Sequence, residues 1–194
     1  MVDDPDTRAR LLERAREVYL EGGPAHFSLR EVARRVGVSA PAVYRHFDDK
    51  EALLAAVCEE GFRTFGSYLL RALSARSPLA RLRAAGDQYL RFALDHPRDY
   101  RVIFMSAVED LGGAPGSPHE SPTFQFLVDR VRECMDVEVL AAGDPAEVAV
   151  AIWAHVHGLA SLRLSGQLAV IGNDAAFAKF FRRSTDRLLA GLAV

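Results

Sequence analysis

The sequence predicts an all-α protein, and both its composition and its patterning lead to this prediction. Ala (30 residues) and Leu (23) dominate the 194-residue chain, whereas Ile (3) and Thr (4) are rare. Ala and Leu favour helices, and the rare residues favour strands. Apolar residues recur with helical spacing through most of the chain, and no segment alternates as a half-buried strand does.

The first part of the chain is predicted to form short helices separated by clear stop signals. A helix over residues 7–21 ends at a Gly-Gly-Pro sequence. Ser28 caps the next helix, with Glu31 at the spacing of a capping box. Gly37 then breaks the chain, and Ser39 caps a second short helix.

The rest of the chain is predicted to form longer helices joined by turns. Residues 110–122 are rich in Gly, Pro and Ser and are therefore predicted to be a loop. The predicted helices cover residues 49–75, 79–96, 98–109, 122–142, 144–168 and 173–192, and that at 98–109 is shorter than the others.

Charge, cysteine content and hydropathy exclude several classes of protein. Lys and Arg (24) nearly balance Asp and Glu (26), so the chain is not a polycation. We expect Cys58 and Cys134 to be reduced and buried. No apolar run reaches the roughly 18 residues of a membrane helix, and the first residues are acidic where a signal peptide is basic. We therefore expect a cytoplasmic protein without a membrane partner.

Residues 28–47 (SLREVARRVGVSAPAVYRHF) have the pattern of a helix-turn-helix. Gly37 accepts the positive φ that the tight turn needs, and Ala33 is small enough for two helices to approach closely. The second helix is predicted to enter a DNA major groove, which is wide enough to admit a helix. Eight arginines and four glutamates between residues 7 and 47 give a net charge of +4, which favours contact with phosphates.

Several short motifs follow one another in this region with characteristic spacing. They are Phe27-Ser28-Leu29, Val32-Ala33, Val36-Gly37-Val38-Ser39, Val43-Tyr44, His46-Phe47 and Lys50-Glu51-Ala52-Leu53-Leu54. In this order they resemble the DNA-binding domain of the TetR family of bacterial transcriptional regulators. The resemblance implies a helix-turn-helix DNA-binding domain at residues 1–50 and an all-helical effector-binding and dimerisation domain at residues 51–194.

The resemblance also implies a function. A homodimer would bind a partly palindromic operator in double-stranded DNA as a repressor, and a small-molecule effector would release it. Two alternatives remain open: a constitutive DNA-binding regulator without an effector, and a helical ligand-binding or interaction protein that has lost operator binding. We expect neither enzymatic activity, nor a cofactor, nor a metal, because the sequence has no nucleophile, phosphate-loop or metal-ligand motif.

The helix-turn-helix resemblance assigns DNA contacts to a small set of residues. They are Ser28, Arg30, Ser39, Ala40, Pro41, Ala42, Tyr44, Arg45, His46 and Lys50. The residues from Ser39 to Ala42 are implied to lie nearest the bases, and Ser28, Tyr44, His46 and Lys50 to contact phosphates. The family often has Lys-Gly where this chain has Ala40-Pro41, and neither of these side chains donates a hydrogen bond. Bases are then read by apolar contact with thymine methyls, or by Ser39, Arg45 or Arg30.

The second part of the chain contains a W-x-x-x-H-G motif formed by Trp153, His157 and Gly158, which resembles a C-terminal subfamily of the same regulators. Trp153 and His157 share one helix face and either line an effector cavity or form ordinary core. Arg101, His157 and Arg163 are the expected polar anchors of such a cavity. The candidate effector-pocket residues are Tyr89, Tyr100, Arg101, Phe104, Met105, Phe124, Leu127, Trp153, His157 and Arg163.

The last two helices carry more apolar surface than one thin helical layer requires. By resemblance to the family, we expect them to pack against the same helices of a second copy. The candidate dimer-interface residues are Val148, Ile152, Leu159, Leu162, Phe177, Phe181 and Leu188.

Overall fold

The computed structural model describes residues 5–106 and 121–194, and these residues are predominantly helical, which confirms the predicted fold class. Leu140 and Ala193 form an isolated bridge, and no strand occurs in the described residues. The helices are α1 (Pro5–His26), α2 (Leu29–Val36), α3 (Ala40–Tyr44), α4 (Lys50–Leu70), α5 (Pro78–Asp95), α6 (Pro97–Met105), α7 (Pro122–Asp136), α8 (Pro145–Leu164) and α9 (Asp174–Gly191).

The chain divides into two compact units. The first unit contains the chain up to Arg63 and the segment that begins at Arg98, and the second contains Thr64–Pro97 and the described chain from Ser121. Helix α4 runs without a break from one unit into the other. The predicted division into domains at residues 1–50 and 51–194 stays a prediction.

The first unit begins with the predicted helix-turn-helix elements. α1 loses helical geometry at Gly23, where φ is 64°, which agrees with the predicted Gly-Gly-Pro stop. The turn after α2 is left-handed at Gly37, with φ of 80°, as the sequence predicts. The side chains buried in this unit include Leu11, Leu12, Ala15, Val18, Val32, Ala33, Val36, Val43, Phe47, Leu53, Leu54 and Val57.

Helix α6 packs within the first unit. Arg98 donates a hydrogen bond to Glu17 of α1 at 2.9 Å, and Asp99 is ion-paired with Arg16 of α1. The rings of Phe62 and Phe104 meet edge to face, with their centroids 5.9 Å apart. Both polar and apolar contacts therefore hold α6 to this unit.

The second unit is formed mainly by the helices α5, α7, α8 and α9. Its core contains Leu82, Phe124, Val128, Val131, Cys134, Leu140, Ala149, Ile152 and Leu189. Asp144 and Asn173 cap α8 and α9 by accepting hydrogen bonds from Ala146 and Ala176, at 2.8 and 3.0 Å. Burial of one apolar face of each helix stabilises this unit more than the helices' intrinsic propensity does.

Several helix ends differ from the predicted ones, and backbone geometry explains the differences. α4 ends at Leu70 and continues as a short 3-10 turn at Arg71–Ser74. α7 ends at Asp136 rather than at residue 142, because Glu138 adopts a positive φ of 56°. α8 ends at Leu164 because Gly166 is left-handed. The predicted loop at 110–122 lies almost entirely outside the described residues.

Within residues 5–106 and 121–194, no helix combines the length and the apolar character needed to cross a bilayer.

Two adjacent leucines of α4 test how much the burial of this helix contributes to stability. Leu69 is 6% exposed and Leu70 is 60% exposed. We expect Leu69→Ala to lower the free energy of unfolding by about 2–5 kcal/mol. Leu70→Ala should lower it by less than about 0.5 kcal/mol, although both changes alter helix propensity equally. Urea unfolding followed by circular dichroism measures both, and equal losses would contradict this packing.

Candidate functional site

The helix-turn-helix presents one outward face made by the start of α2 and by α3. Val43 and Phe47 point into the core, so the opposite side of α3 is turned outward. Tyr44 is 54% exposed, which excludes it from the core. The exposed side chains of this face are Ser28, Arg30, Ser39, Pro41, Tyr44, Arg45 and Lys50.

The two serines that precede the helices behave differently. Ser28 accepts a hydrogen bond from the Glu31 backbone N–H at 3.2 Å, as an N-cap does. Ser39 occupies the N-cap position of α3, but its hydroxyl makes no capping hydrogen bond, contrary to the prediction. The Ser39 hydroxyl is therefore not needed to hold α3 in place.

Glu31 neutralises two of the arginines that follow it in α2. Its carboxylate accepts hydrogen bonds from Arg34 at 2.7 and 2.9 Å and from Arg35 at 2.8 Å. These hydrogen bonds, that of Arg34 first, lower the pKa of the Glu31 carboxyl to about 2. Arg35 is also paired with Glu21 of α1 at 2.7 Å. Glu31 is therefore ionised at neutral pH and binds both guanidinium groups.

The arginines of α1 also have structural partners. Arg10 donates to the Val36 carbonyl at the end of α2 at 2.7 Å, which satisfies a helix terminus. Arg14 pairs with Glu17 at 2.6 Å, and Arg16 donates to Glu60 of α4 at 3.0 Å. Arg8 lies over the Phe47 ring, 5.5 Å from its centroid. Arg10 and Arg16 therefore hold α1 against α2 and α4, whereas the pair of Arg14 and Glu17 lies within α1.

The positive charge left at the outward face is small and local. Within the described ranges, Arg30 and Arg45 form no ion pair, and both side chains are exposed. The Lys50 ammonium lies 3.7 Å from the Glu51 carboxylate, with both side chains about half exposed. A phosphate backbone placed against this face would meet Arg30, Arg45 and Lys50, whose charges are the most available.

The second unit contains a hydrogen-bonded series of polar side chains between α5 and α8. The Tyr89 hydroxyl lies 2.9 Å from Nδ1 of His157, and the Ser161 hydroxyl lies 3.3 Å from its Nε2. Burial lowers the pKa of the His157 imidazole, so the ring is neutral at physiological pH. A neutral imidazole has one donor and one acceptor nitrogen, which suits this series.

Two family models match this chain, one in each part. The model described as "Bacterial regulatory proteins, tetR family" matches residues 11–57. The model described as "Tetracyclin repressor-like, C-terminal domain" matches residues 82–188, more than half of the chain. The chain belongs to the TetR family. The members of this family are DNA-binding transcriptional regulators and not enzymes.

Individual relatives agree with this family. The HTH-type transcriptional activator FasR of Mycolicibacterium smegmatis is 34% identical over 100 residues, 51% of this chain and 46% of FasR. The HTH-type transcriptional repressor Rv3405c of Mycobacterium tuberculosis is 33% identical over 86 residues, 44% of each protein. The chain spans about half the length of the curated relatives it matches. A Rhodococcus sp. RHA1 protein of unknown function is 29% identical, with a TM-score of 0.76, over 99% of this chain and 98% of its own.

The structure brings most of the predicted TetR DNA contacts to one face, with one correction. Ala42 is buried beside Val43, so its methyl group faces the core and is not available to a base. Ala40 and His46 are half-buried, and the His46 ring lies beside that of Phe47 at 6.4 Å between centroids. DNA contact by the other predicted residues stays a prediction.

The predicted effector residues of this TetR protein are distributed over the two compact units. Tyr89, Phe124, Leu127, Trp153 and His157 belong to the second unit, where the Trp153 ring lies 6.0 Å from Phe124 and 5.7 Å from His157. The predicted residues that belong to the first unit instead are Tyr100, Arg101, Phe104 and Met105.

Arg163, a predicted polar anchor, has structural partners within the second unit, and its role toward an effector stays a prediction. Its guanidinium is bound by Asp174 at 2.7 Å and by the Gly172 carbonyl at 2.8 Å, and it lies over the Phe177 ring. Arg163 therefore holds the turn between α8 and α9 to the end of α8.

The predicted dimer-interface residues divide into two groups. Ile152, Phe177 and Phe181 are buried within the single chain, so they belong to its core and offer no surface to a partner. Leu162 is exposed, and the half-buried members are Val148, Leu159 and Leu188. The surface that remains for a partner is therefore smaller than the sequence predicts.

Ser161 and Glu31 make side-chain contacts that are not among the predicted ones. Ser161 follows His157 by four residues, a spacing that places both on one helix face and that points to their hydrogen bond. The sequence predicts Glu31 only as part of a capping box, whereas its carboxylate also binds Arg34 and Arg35. These arginines lie three and four residues later, which is itself a signal for ion pairing.

Two exposed arginines of the helix-turn-helix, Arg45 and Arg34, test which of its positive charges are available to DNA. Arg45→Ala is expected to weaken binding to any duplex and to reduce the slope of log affinity against log salt by about 1, because one phosphate contact is lost. Arg34→Ala should leave the slope nearly unchanged, because Glu31 holds this side chain. Fluorescence anisotropy at several salt concentrations measures both slopes. A larger effect of Arg34→Ala would contradict the assignment.

Proposed function

We propose that this TetR-family protein is a homodimeric repressor that binds a partly palindromic operator and is released by a small-molecule effector. One observation carries the DNA-binding part of the proposal. The outward face of α2 and α3 retains Arg30, Tyr44 and Arg45 for DNA, while the neighbouring arginines are held in intramolecular pairs. Because bacterial operators lie in the cytoplasm, this function implies a cytoplasmic protein.

A dimer is the arrangement that gives such a small reading surface enough contacts. α3 has only five residues, from Ala40 to Tyr44. Two copies related by a two-fold axis would place their α3 helices in successive major grooves, roughly 34–36 Å apart. The operator would then repeat the half-site with inverted orientation, which doubles the contacts.

Helix α8 offers the surface that we propose for dimerisation. Val150 and Leu162 are apolar but 38% exposed. Between them, Ala154 is exposed and half-buried Gly158 faces open space, since an added side chain at Gly158 would meet nothing within 4 Å. Small residues at this spacing allow a second helix to approach closely, and the flanking apolar groups would be buried by it.

The proposed effector acts on the second unit near His157. Tyr89 and His157 join α5 to α8 through a hydrogen bond in partly apolar surroundings that include Trp153. A ligand with its own hydrogen-bonding group would compete with this bond and change the packing of the two helices. It would release the operator only if it binds better to a state in which the two α3 helices are differently spaced.

A constitutive regulator is the second candidate, and a specific observation favours it. Tyr89 and Ser161 already occupy both ring nitrogens of His157, which is what a satisfied core histidine requires. A constitutive regulator would bind its operator whether or not small molecules are present. Repression, the commoner mode of the family, remains our proposal for the sign of regulation, although the names of the relatives include both an activator and a repressor.

Selection of bound duplexes from a random DNA library tests the function directly. We expect an enriched sequence with inverted half-sites and an affinity that falls steeply with salt. Adding small molecules to the selected complex then separates the effector-controlled regulator from the constitutive one. Failure of a verified dimer to enrich any sequence would contradict operator binding.

Two surface substitutions test the proposed dimer. Leu162→Glu should weaken dimerisation on the order of 100-fold or more, because two copies of an unpaired charge would be buried. Val137→Glu is the matched control, since Val137 is 52% exposed but lies outside α8. Sedimentation velocity over a dilution series measures the association of both variants. An unchanged dimer in Leu162→Glu would place the interface elsewhere.

A further inference from the structure

The N-terminal end of α3 exposes apolar groups and very few hydrogen-bond donors. Pro41 is exposed and Ala40 is half-buried, and neither side chain has a polar atom. The Pro41 backbone has no N–H, and the Ala42 N–H is already bonded to the Ser39 carbonyl at 2.9 Å. Apart from the Ser39 hydroxyl and the backbone N–H groups of Ser39 and Ala40, this end can offer a ligand only apolar contact.

This end of α3 is the part that would lie nearest the base edges. In helix-turn-helix complexes the N-terminal residues of the second helix contact bases, and the first helix crosses the backbone. Every base pair exposes donors and acceptors in the major groove, and thymine alone adds a methyl group. An apolar surface pressed against a donor or acceptor leaves that group without a partner, which costs affinity. The thymine methyl is the group that matches this surface.

The basic side chains near this end of α3 are poorly placed to read the bases. Arg34 and Arg35 are bound to Glu31. Arg30 lies on α2, the helix that crosses the backbone, and Arg45 follows the last residue of α3. Their positions suit phosphate contacts, which position a protein on DNA without reading its sequence.

We propose that Ala40 and Pro41 form an apolar reading surface that recognises the C5-methyl group of thymine in each operator half-site. This inference rests on the proposed function, because it requires an operator bound by α3. It assigns sequence selectivity to two side chains without polar atoms, and it makes the methyl group itself a determinant of affinity.

Replacing single thymines by uracil tests the proposal, since this change removes the methyl group and preserves base pairing. The probe is the duplex selected from the random library, with each thymine replaced in turn. We expect one or two positions per half-site at which uracil lowers affinity about fourfold, the effect of one buried methyl group. Cytosine at such a position should bind weakly, and 5-methylcytosine should recover about fourfold in affinity.

Two variants assign the effect to the proposed residues. The double variant Ala40→Ser with Pro41→Ser should bind thymine and uracil duplexes equally, because its hydroxyls replace the apolar surface. Tyr44→Phe is the control: it should weaken binding to both duplexes by the same factor and preserve the preference for thymine. Circular dichroism and binding to non-specific DNA establish that the double variant is folded.

The outcomes separate this inference from the function on which it rests. Uracil effects below twofold at every position of an enriched operator would overturn the thymine reading and leave the proposed function intact. A preference for thymine that survives in the double variant would overturn the assignment to Ala40 and Pro41. Absence of any enriched operator would overturn the proposed function, and the inference with it.

Discussion

The left-handed turn at Gly37 is the constraint on which the recognition surface depends. The N–H groups of Gly37 and Val38 both bond to the Ala33 carbonyl, at 2.9 and 3.1 Å, so α2 ends there and α3 starts in a fixed direction. At a φ of 80° any other side chain would be strained. Because Val43 must then fill the core, Pro41 and Tyr44 are turned outward.

The same geometry explains why the net charge of the helix-turn-helix is larger than the charge that its outward face would present to DNA. Helix spacing places Arg34 and Arg35 beside Glu31, whose carboxylate remains ionised at neutral pH. The arginines of α1 contact a helix end, other carboxylates or a ring, and they stabilise the unit. Arg30 and Arg45 are exposed and form no ion pair with any residue that the structure describes, so their charges remain available.

Local signals made much of this structure predictable from the sequence, and non-local contacts account for most of what was not. The caps at Ser28 and Asn173 and the turn at Gly37 depend on residues close in sequence, so their positions could be predicted. Phe177 shows the limit: apolar periodicity identifies a face to be buried, but not whether the same chain or a second copy buries it. The ion pair of Arg163 could not be predicted for the same reason, because its partner Asp174 lies beyond the turn that follows α8.

An apolar reading surface has a consequence for how a TetR protein of this kind would be controlled. One buried methyl group discriminates less than a bidentate hydrogen-bonded pair does, so a single half-site would be read weakly. Selectivity would then depend on binding two half-sites at once. The preferences of the two half-sites for thymine multiply only while both α3 helices fit the same duplex. A small change in their spacing would remove one complete half-site. Weak reading by Ala40 and Pro41 would thus make the proposed regulator sensitive to a modest effector-induced shift.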